Sequence, residues 1–270
     1  MSDEGRDTFP MLVLADLAAP GKESFVDGPF GSNLKSHEYV SSGVRLIQLQ
    51  NIGEGQWRDD NKKYITWRKF KSLERHGALP GDITIAKMAE PVARACIVPN
   101  IEQQYLVVAD CIRLKIDETR FDAGFIVRAI NSHWVRREAE KKAIGSTRVR
   151  INLSVLKTVS CRIPNFDVQV AINRILDTLD TTILDSEAIV AKLKAVKLGL
   201  LHDLMTRGLD SDGELRQVHS DAPHLYQSSP LSWIPKDWNI LSLGEIAEFY
   251  CRRPIWIEPE DIPLCCKSRC

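Results

Sequence analysis

The chain of 270 residues has no stretch of about 18 uninterrupted apolar residues, the least that spans a bilayer as a helix. Its first 30 residues carry neither the basic start nor the apolar run of a secretory signal, so a cytoplasmic protein is expected, with no membrane partner. Zinc-ligand spacing is missing as well. None of the seven cysteines forms a CxxC pair, and no histidines stand beside them at ligand spacing, which argues against a metal site. Cys96, Cys111 and Cys161 lie among apolar, strand-like residues and are expected to be buried reduced thiols. Cys251, Cys265, Cys266 and Cys270 crowd the last twenty positions.

Catalytic signatures are equally scarce. The sequence has no P-loop for an ATP-driven motor, no glycine-rich fingerprint for S-adenosylmethionine and no Asn-Pro-Pro-aromatic motif. His37, His76, His219 and His224 share no recognisable spacing with a nucleophile and an acid. Asp82 and Lys87 suggest half of a nuclease site, but Ile85 occupies the place of the second metal-binding acid. No catalytic residue and no cofactor is therefore expected. Net charge of one sign is also absent, with 36 basic against 36 acidic residues, so no global field draws the chain onto a polyanion.

What is present is local. Between Arg128 and Arg162 stand nine lysines or arginines against Glu138 and Glu140, and between Lys62 and Arg75 six against Glu74. Such clusters are either the footprint of a polyanion site or solvated faces. From about Val168 to Leu204 runs an unbroken helical pattern in which Ile172, Leu176, Leu179, Ile183, Val190, Leu193, Leu200 and Leu204 recur at spacings of three and four or at multiples of seven. At 1.5 Å per residue this predicts a rod of roughly 55 Å, suited to holding one domain at a distance from another part.

Before the rod, residues 9–165 read as one α+β domain. Gly43–Leu49 alternates like a half-buried strand, and 82–86, 95–98, 105–108 and 111–116 supply further strands between turns at Pro80-Gly81 and Pro99-Asn100. A helix is expected from Ala123 to about Ile144, closed by Gly145. Ile163-Pro164-Asn165 marks the boundary to the long helix, taken as 166–207. Residues 208–233 read as a linker, with 208–229 aperiodic. The segment Val13–Ala18 then returns in kind as Ser242–Ala247, each copy after a proline, Pro10 and Pro235. Residues 234–270 thus look like the start of a second such domain, too short to fold and expected to be poorly ordered.

Several ordered motifs now carry a resemblance. Asp27-Gly28-Pro29-Phe30-Gly31-Ser32, Gly43-Val44-Arg45-Leu46-Ile47-Gln48, Pro80-Gly81-Asp82-Ile83, Gly145-Ser146-Thr147 with Ile151-Asn152, and Ile163-Pro164 leading through Gln169 and Ile172 resemble the specificity subunit of type I restriction-modification enzymes. The resemblance spans about residues 10–247. It implies a mixed-sheet target-recognition domain that reads a half-site of double-stranded DNA. It also implies a coiled-coil-type spacer helix that docks methyltransferase subunits within a complex containing a restriction and translocase subunit. Full members carry two such domains and two such helices, whereas this sequence holds the first domain, the first helix and the beginning of a second domain. The sequence from Tyr250 to Cys270 does not look like the family.

On this reading Lys62, Lys63, Tyr64, Trp67, Arg68, Lys69, Arg148 and Arg150 form the DNA-contacting surface, with Trp67 alternatively a core residue. Gly28–Ser32 reads as a tight turn rather than a phosphate cradle, since the lysine of a P-loop is missing. Gly145–Arg148 is either a phosphate contact or a helix cap with a surface turn. Ile172, Leu176, Leu179, Ile183, Leu193, Leu200 and Leu204 form the subunit interface, on which a second copy could lie as a homodimer. The competing readings are an inactive truncated remnant and a DNA-modifying enzyme with unfamiliar motifs.

Overall fold

The computed structural model of the chain describes residues 9–88, 91–145, 149–230 and 232–247. It divides into two units after Ile183. In the first, the strands are β1 (Met11–Val13), β2 (Phe25–Asp27), β3 (Val44–Ile47), β4 (Tyr64–Ile65), β5 (Gly77–Ala78), β6 (Ile83–Ala86), β7 (Ala95–Ile97), β8 (Tyr105–Val107), β9 (Cys111–Leu114) and β10 (Ser160–Arg162). The helices are α1 (Trp67–Ser72), α2 (Ala123–Asn131), α3 (His133–Lys142), α4 (Leu153–Leu156) and α5 (Phe166–Thr206). The expected α+β class, a mixed-sheet domain followed by a long helix, is what the chain adopts.

Two four-stranded sheets make the domain. One has the order β4-β3-β8-β5 with β3 and β8 parallel, and the other is the antiparallel β2-β9-β6-β7. A core of Ile47, Ala78, Ala86, Cys96, Tyr105, Val107 and Cys111 draws residues from both sheets and so lies between them. The opposite face of the first sheet, through Val44, Leu46, Ile65 and Leu106, packs on Phe70 and Leu73 at α1. That of the second, through Phe25, Ile83, Ile85, Ile112 and Leu114, packs on Ile126, Ile130 and Val135 of α2 and α3. Each sheet is thus covered on both sides. This corrects the half-buried reading of Gly43–Leu49: all four residues of β3 are buried, Arg45 included, because interior strands of covered sheets have no wet face.

The single helix expected from Ala123 to Ile144 is two. Ser132 adopts an extended conformation, ending α2 and accepting a hydrogen bond from Val135 N to begin α3. The break leaves Asn131 free to pair through its amide with both Ala95 N and Ala95 O, closing the edge of β7. Helix α3 ends at Lys142, short of Gly145. Cys96, Cys111 and Cys161 are free, buried thiols, and desolvation pushes Cys96 and Cys161 up to about 12. The four C-terminal cysteines lie outside the described residues.

Helix α5 is 41 residues, about 60 Å long. Its root is fastened by polar contacts. The buried Gln169 amide donates to Arg120 O and Pro164 O and accepts from Asp122 N, while Arg128 on α2 reaches Asn173, Asp177 and Asp180. Gly124 permits the approach, since a Cβ there would stand 2.3 Å from the Asn173 amide. Beyond the root the apolar residues are bare: Leu179 is 53 % exposed and Leu193 62 %. Ile175, Ile189 and Val196, also exposed, recur at sevens or multiples of seven beside the expected seam and widen it. Among the described residues no helix is long and apolar enough to cross a membrane.

In the second unit the expected aperiodic stretch 208–229 is partly ordered. A hairpin pairs β11 (Tyr226–Ser229) with β12 (Ser232–Pro235), and Tyr226 is buried with its hydroxyl donating to Gln217 O. Gln-Ser-Ser offers no apolar alternation, so the strand was silent in the sequence. The weak repeat is reproduced locally: Val13 N donates to Asp16, and Ser242 N to Glu245 at the start of α6 (Leu243–Ile246). Replacing Gln169 by Ala strands three buried backbone groups, and a loss of about 1–3 kcal/mol or more is expected in denaturant unfolding. An unchanged midpoint would show that the helix root does not depend on this amide.

Candidate nucleic-acid interface

The loop from Gln48 to Lys63, between β3 and β4, is held from beneath by three buried polar side chains. Asn51 accepts from Gln48 N and donates to Arg58 O and Asp60 O, at 2.9, 3.1 and 2.8 Å. Arg94 sends Nε to Ile52 O at 2.6 Å and Nη2 to Leu49 O at 2.8 Å, with burial lowering its pKa. Arg45 is 1 % exposed and lies over the rings of Trp57 and Tyr64. Its Nη2 is 2.9 Å from Asp59 Oδ1, an ion pair without hydrogen-bond alignment. Asp59 is held below the usual carboxylate range, chiefly by its hydrogen bond from Lys62 and then by Trp57 and the Arg45 charge. Three desolvated polar groups under one loop give it a fixed shape.

On the outer side Gln48 Oε1 accepts from Gln50 Nε2 at 3.4 Å and from Asn61 Nδ2 at 3.2 Å. Asn61 turns the chain with φ 48°, a conformation asparagine tolerates. Gln48, Leu49 and Gln50 line one wall of a depression of about 210 Å³, whose other walls are Pro29, Gly31, Leu34, Tyr39 and Val108–Asp110. Phe30, between the wall residues Pro29 and Gly31, is 81 % exposed. Gly28 is required where it stands, because a Cβ would fall 1.9 Å from Val108 O. Lys87 fixes the floor by donating to Asp27 Oδ2 at 3.1 Å and Ala109 O at 3.4 Å, and Arg150 pairs with Asp110 at the rim. Backbone bridges from Arg150 to Met88 and Ile144 bring that residue there.

The structure therefore brings together part of the expected surface. Lys62 and Lys63 are exposed beside Asn61, whose amide meets Gln48 on one wall of the depression, and Arg150 pairs with Asp110 on another. Lys62 is paired with Asp59, which raises its pKa. Tyr64 is committed to Glu102, and Lys69 to Glu38 at 2.7 Å. Trp67 is 54 % exposed with its edge on Phe70, which excludes the core alternative, and Arg68 is exposed on the same short helix. Arg148, with Ser146 and Thr147, lies outside the described residues. Sequence reasoning passed over Gln50, Asn51, Asn61, Arg94 and Asp110. The available signal was a charge inside an apolar strand, Val44-Arg45-Leu46 and Ala93-Arg94-Ala95, followed by an amide-rich strand end. Among the described residues no group of three His, Cys, Asp or Glu could hold a metal.

A layered α+β domain with a preformed polar loop, feeding a long helix with an uncovered apolar face, is the class of architecture in hand. Residues 76–195 match the family described as the type I restriction modification DNA specificity domain. The type I restriction enzyme MjaVIII specificity subunit of Methanocaldococcus jannaschii is 20 % identical over 185 residues, 67 % of this chain and 43 % of that protein. A solved chain from work on complex assembly and conformational transition of the type I R-M system is 16 % identical with a TM-score of 0.54, covering 74 % of this chain and 46 % of its own. The HsdS subunit from Thermoanaerobacter tengcongensis is 16 % identical with a TM-score of 0.49, over 73 % of this chain and 45 % of its own. The chain is similar to specificity subunits of type I restriction-modification enzymes and spans under half the length of these relatives.

Gly28→Ala should drive a methyl group into the Val108 carbonyl, which backbone cannot easily yield, and lower stability by about 1–3 kcal/mol or more. Thermal or urea unfolding measures it, and a variant as stable as the parent would mean that the loop moves aside without cost.

Proposed function

We infer that the chain is a DNA-recognition component of a type I restriction-modification complex, directing methyltransferase and restriction subunits to a half-site on double-stranded DNA. The carrying observation is the match of residues 76–195 to the DNA specificity domain, over a fold whose braced loop presents Lys62 and Lys63. It acts in the cytoplasm and catalyses nothing itself, lending sequence choice to its partners. Phosphate contacts by exposed lysines and arginines position the domain, and side chains at the depression meet base edges. If about six phosphates are neutralised, log affinity falls against log salt with a slope near −5. Lys62→Ala with Lys63→Ala should flatten that slope by up to about two units. Unchanged binding and slope would remove this loop from the DNA surface.

The uncovered face of α5 is the docking surface for protein. Leu179, Ile183, Leu193, Leu200 and Leu204 line it, with Ile172 and Leu176 half-buried at its root end, and an apolar stripe of that size is seldom left in water. Charge along the helix favours a second copy of the chain in reversed direction: Asp185 and Glu187 precede Lys192 and Lys194, so a copy crossing near Ile189 and Val190 sets acids against lysines. Two identical recognition domains about a two-fold axis read a symmetric site. Sedimentation should find the parent as a dimer and Leu179→Asp with Leu193→Asp as a monomer. In cells that also hold the modification subunit, methyladenine should map to an interrupted palindrome. An asymmetric bipartite motif would exclude the homodimer.

A further inference from the structure

Among the described residues eight polar or charged side chains are buried, and three of them, Arg45, Asn51 and Arg94, brace the single loop 48–61. Desolvating two guanidinium groups is costly. Arg94 gives its two shortest hydrogen bonds to the loop carbonyls of Leu49 and Ile52, besides those to Met88 O and Pro91 O, and Arg45 pairs with the loop carboxylate of Asp59. A loop held this way is shaped before any ligand arrives.

Its outer surface is a row of amides. Because Gln48 Oε1 accepts one N–H from each of the exposed Gln50 and Asn61, it ties the two together and leaves each a carbonyl oxygen and a second N–H outside this contact. An amide offers one donor beside one acceptor, the complement of adenine, whose major-groove edge carries the N7 acceptor beside the N6 amino donor. Guanine presents two acceptors and suits a free cation. Of the cations on or under this loop, Arg45 is buried and Lys62 paired, both with Asp59, while the exposed Arg58 and Lys63 lie outside the hydrogen-bonded cluster of Gln48, Gln50 and Asn61. The exposed Asp60 on the same turn repels phosphate and guanine O6 and tolerates an amino group.

We propose that Gln50 and Asn61 are the base-reading residues of this domain, that they select adenine, and that Gln48 is the positioning residue that aims them. This rests on the DNA-recognition function inferred above. Lys62 and Lys63, next in the chain, supply phosphate contacts without sequence preference.

The test is enrichment of double-stranded DNA with a randomised segment by the full chain, read by sequencing. The parent should enrich a motif containing adenine, and Gln50→Ala and Asn61→Ala should each relax a different adenine position by about tenfold, the order of discrimination one bidentate pair supplies. Binding to unselected duplex should fall far less than binding to the enriched motif. Gln48→Ala should relax both positions, whereas Gln48→Glu, which keeps the accepting oxygen, should restore them. A purely structural role predicts weaker binding to every sequence alike, with no positional change, and that result overturns the proposal. So does relaxation at a guanine or cytosine, or an unchanged motif in all variants. If the parent itself enriches no sequence, the DNA-recognition function falls and the adenine assignment with it, an outcome distinct from an unchanged motif.

Discussion

One buried guanidinium ties the parts of the α+β domain together. Arg94 donates to Leu49 O and Ile52 O on one side and to Met88 O and Pro91 O on the other. The first pair follows β3 in one sheet and the second joins β6 to β7 in the other. Loop carbonyls near a core lose water and need donors, since an unpaired buried carbonyl costs about 1–3 kcal/mol. A single planar fork with five N–H groups meets four of them at once, which a lysine ammonium could not do with the same geometry. The spacing of the two sheets and the shape of the loop above them are therefore set together.

The same logic recurs wherever the domain meets something else. Gln169 satisfies three backbone groups at the root of α5, Asn131 closes the edge of β7, and Asn51 pins the turn that carries Asp60 and Asn61. In each case an amide does what secondary structure cannot at a break in its own pattern. Amides donate and accept without a charge to desolvate, so they cost less to bury than the cations do. Where amides remain outside, at Gln48, Gln50 and Asn61, they bond to one another through Gln48 Oε1.

Helix α5 obeys a different constraint. A helix this long gains little from its own propensity and depends on what covers its apolar face. Polar contacts to α2 hold its first turns, and the apolar rows beyond them are left to solvent.

Local periodicity made much of this legible in the residues alone. The heptad spacing from Ile172 to Leu204, the apolar runs of β6, β8 and β9, the turn at Pro80-Gly81 and the boundary at Ile163-Pro164 each depend on neighbours a few residues apart. The basic run at Lys62 and Lys63 was equally plain. What the tertiary structure alone decided was which polar groups lie beneath that run. Arg94 meets Leu49 O across 45 positions, Gln169 meets Asp122 N across 47, and Arg150 meets Asp110 across 40. The covered second faces of the sheets, the helix break at Ser132 and the hairpin at Tyr226 belong with these. A hydrogen bond between distant segments leaves no period in the chain, because its strength depends on burial and direction at one point in space rather than on composition along a stretch.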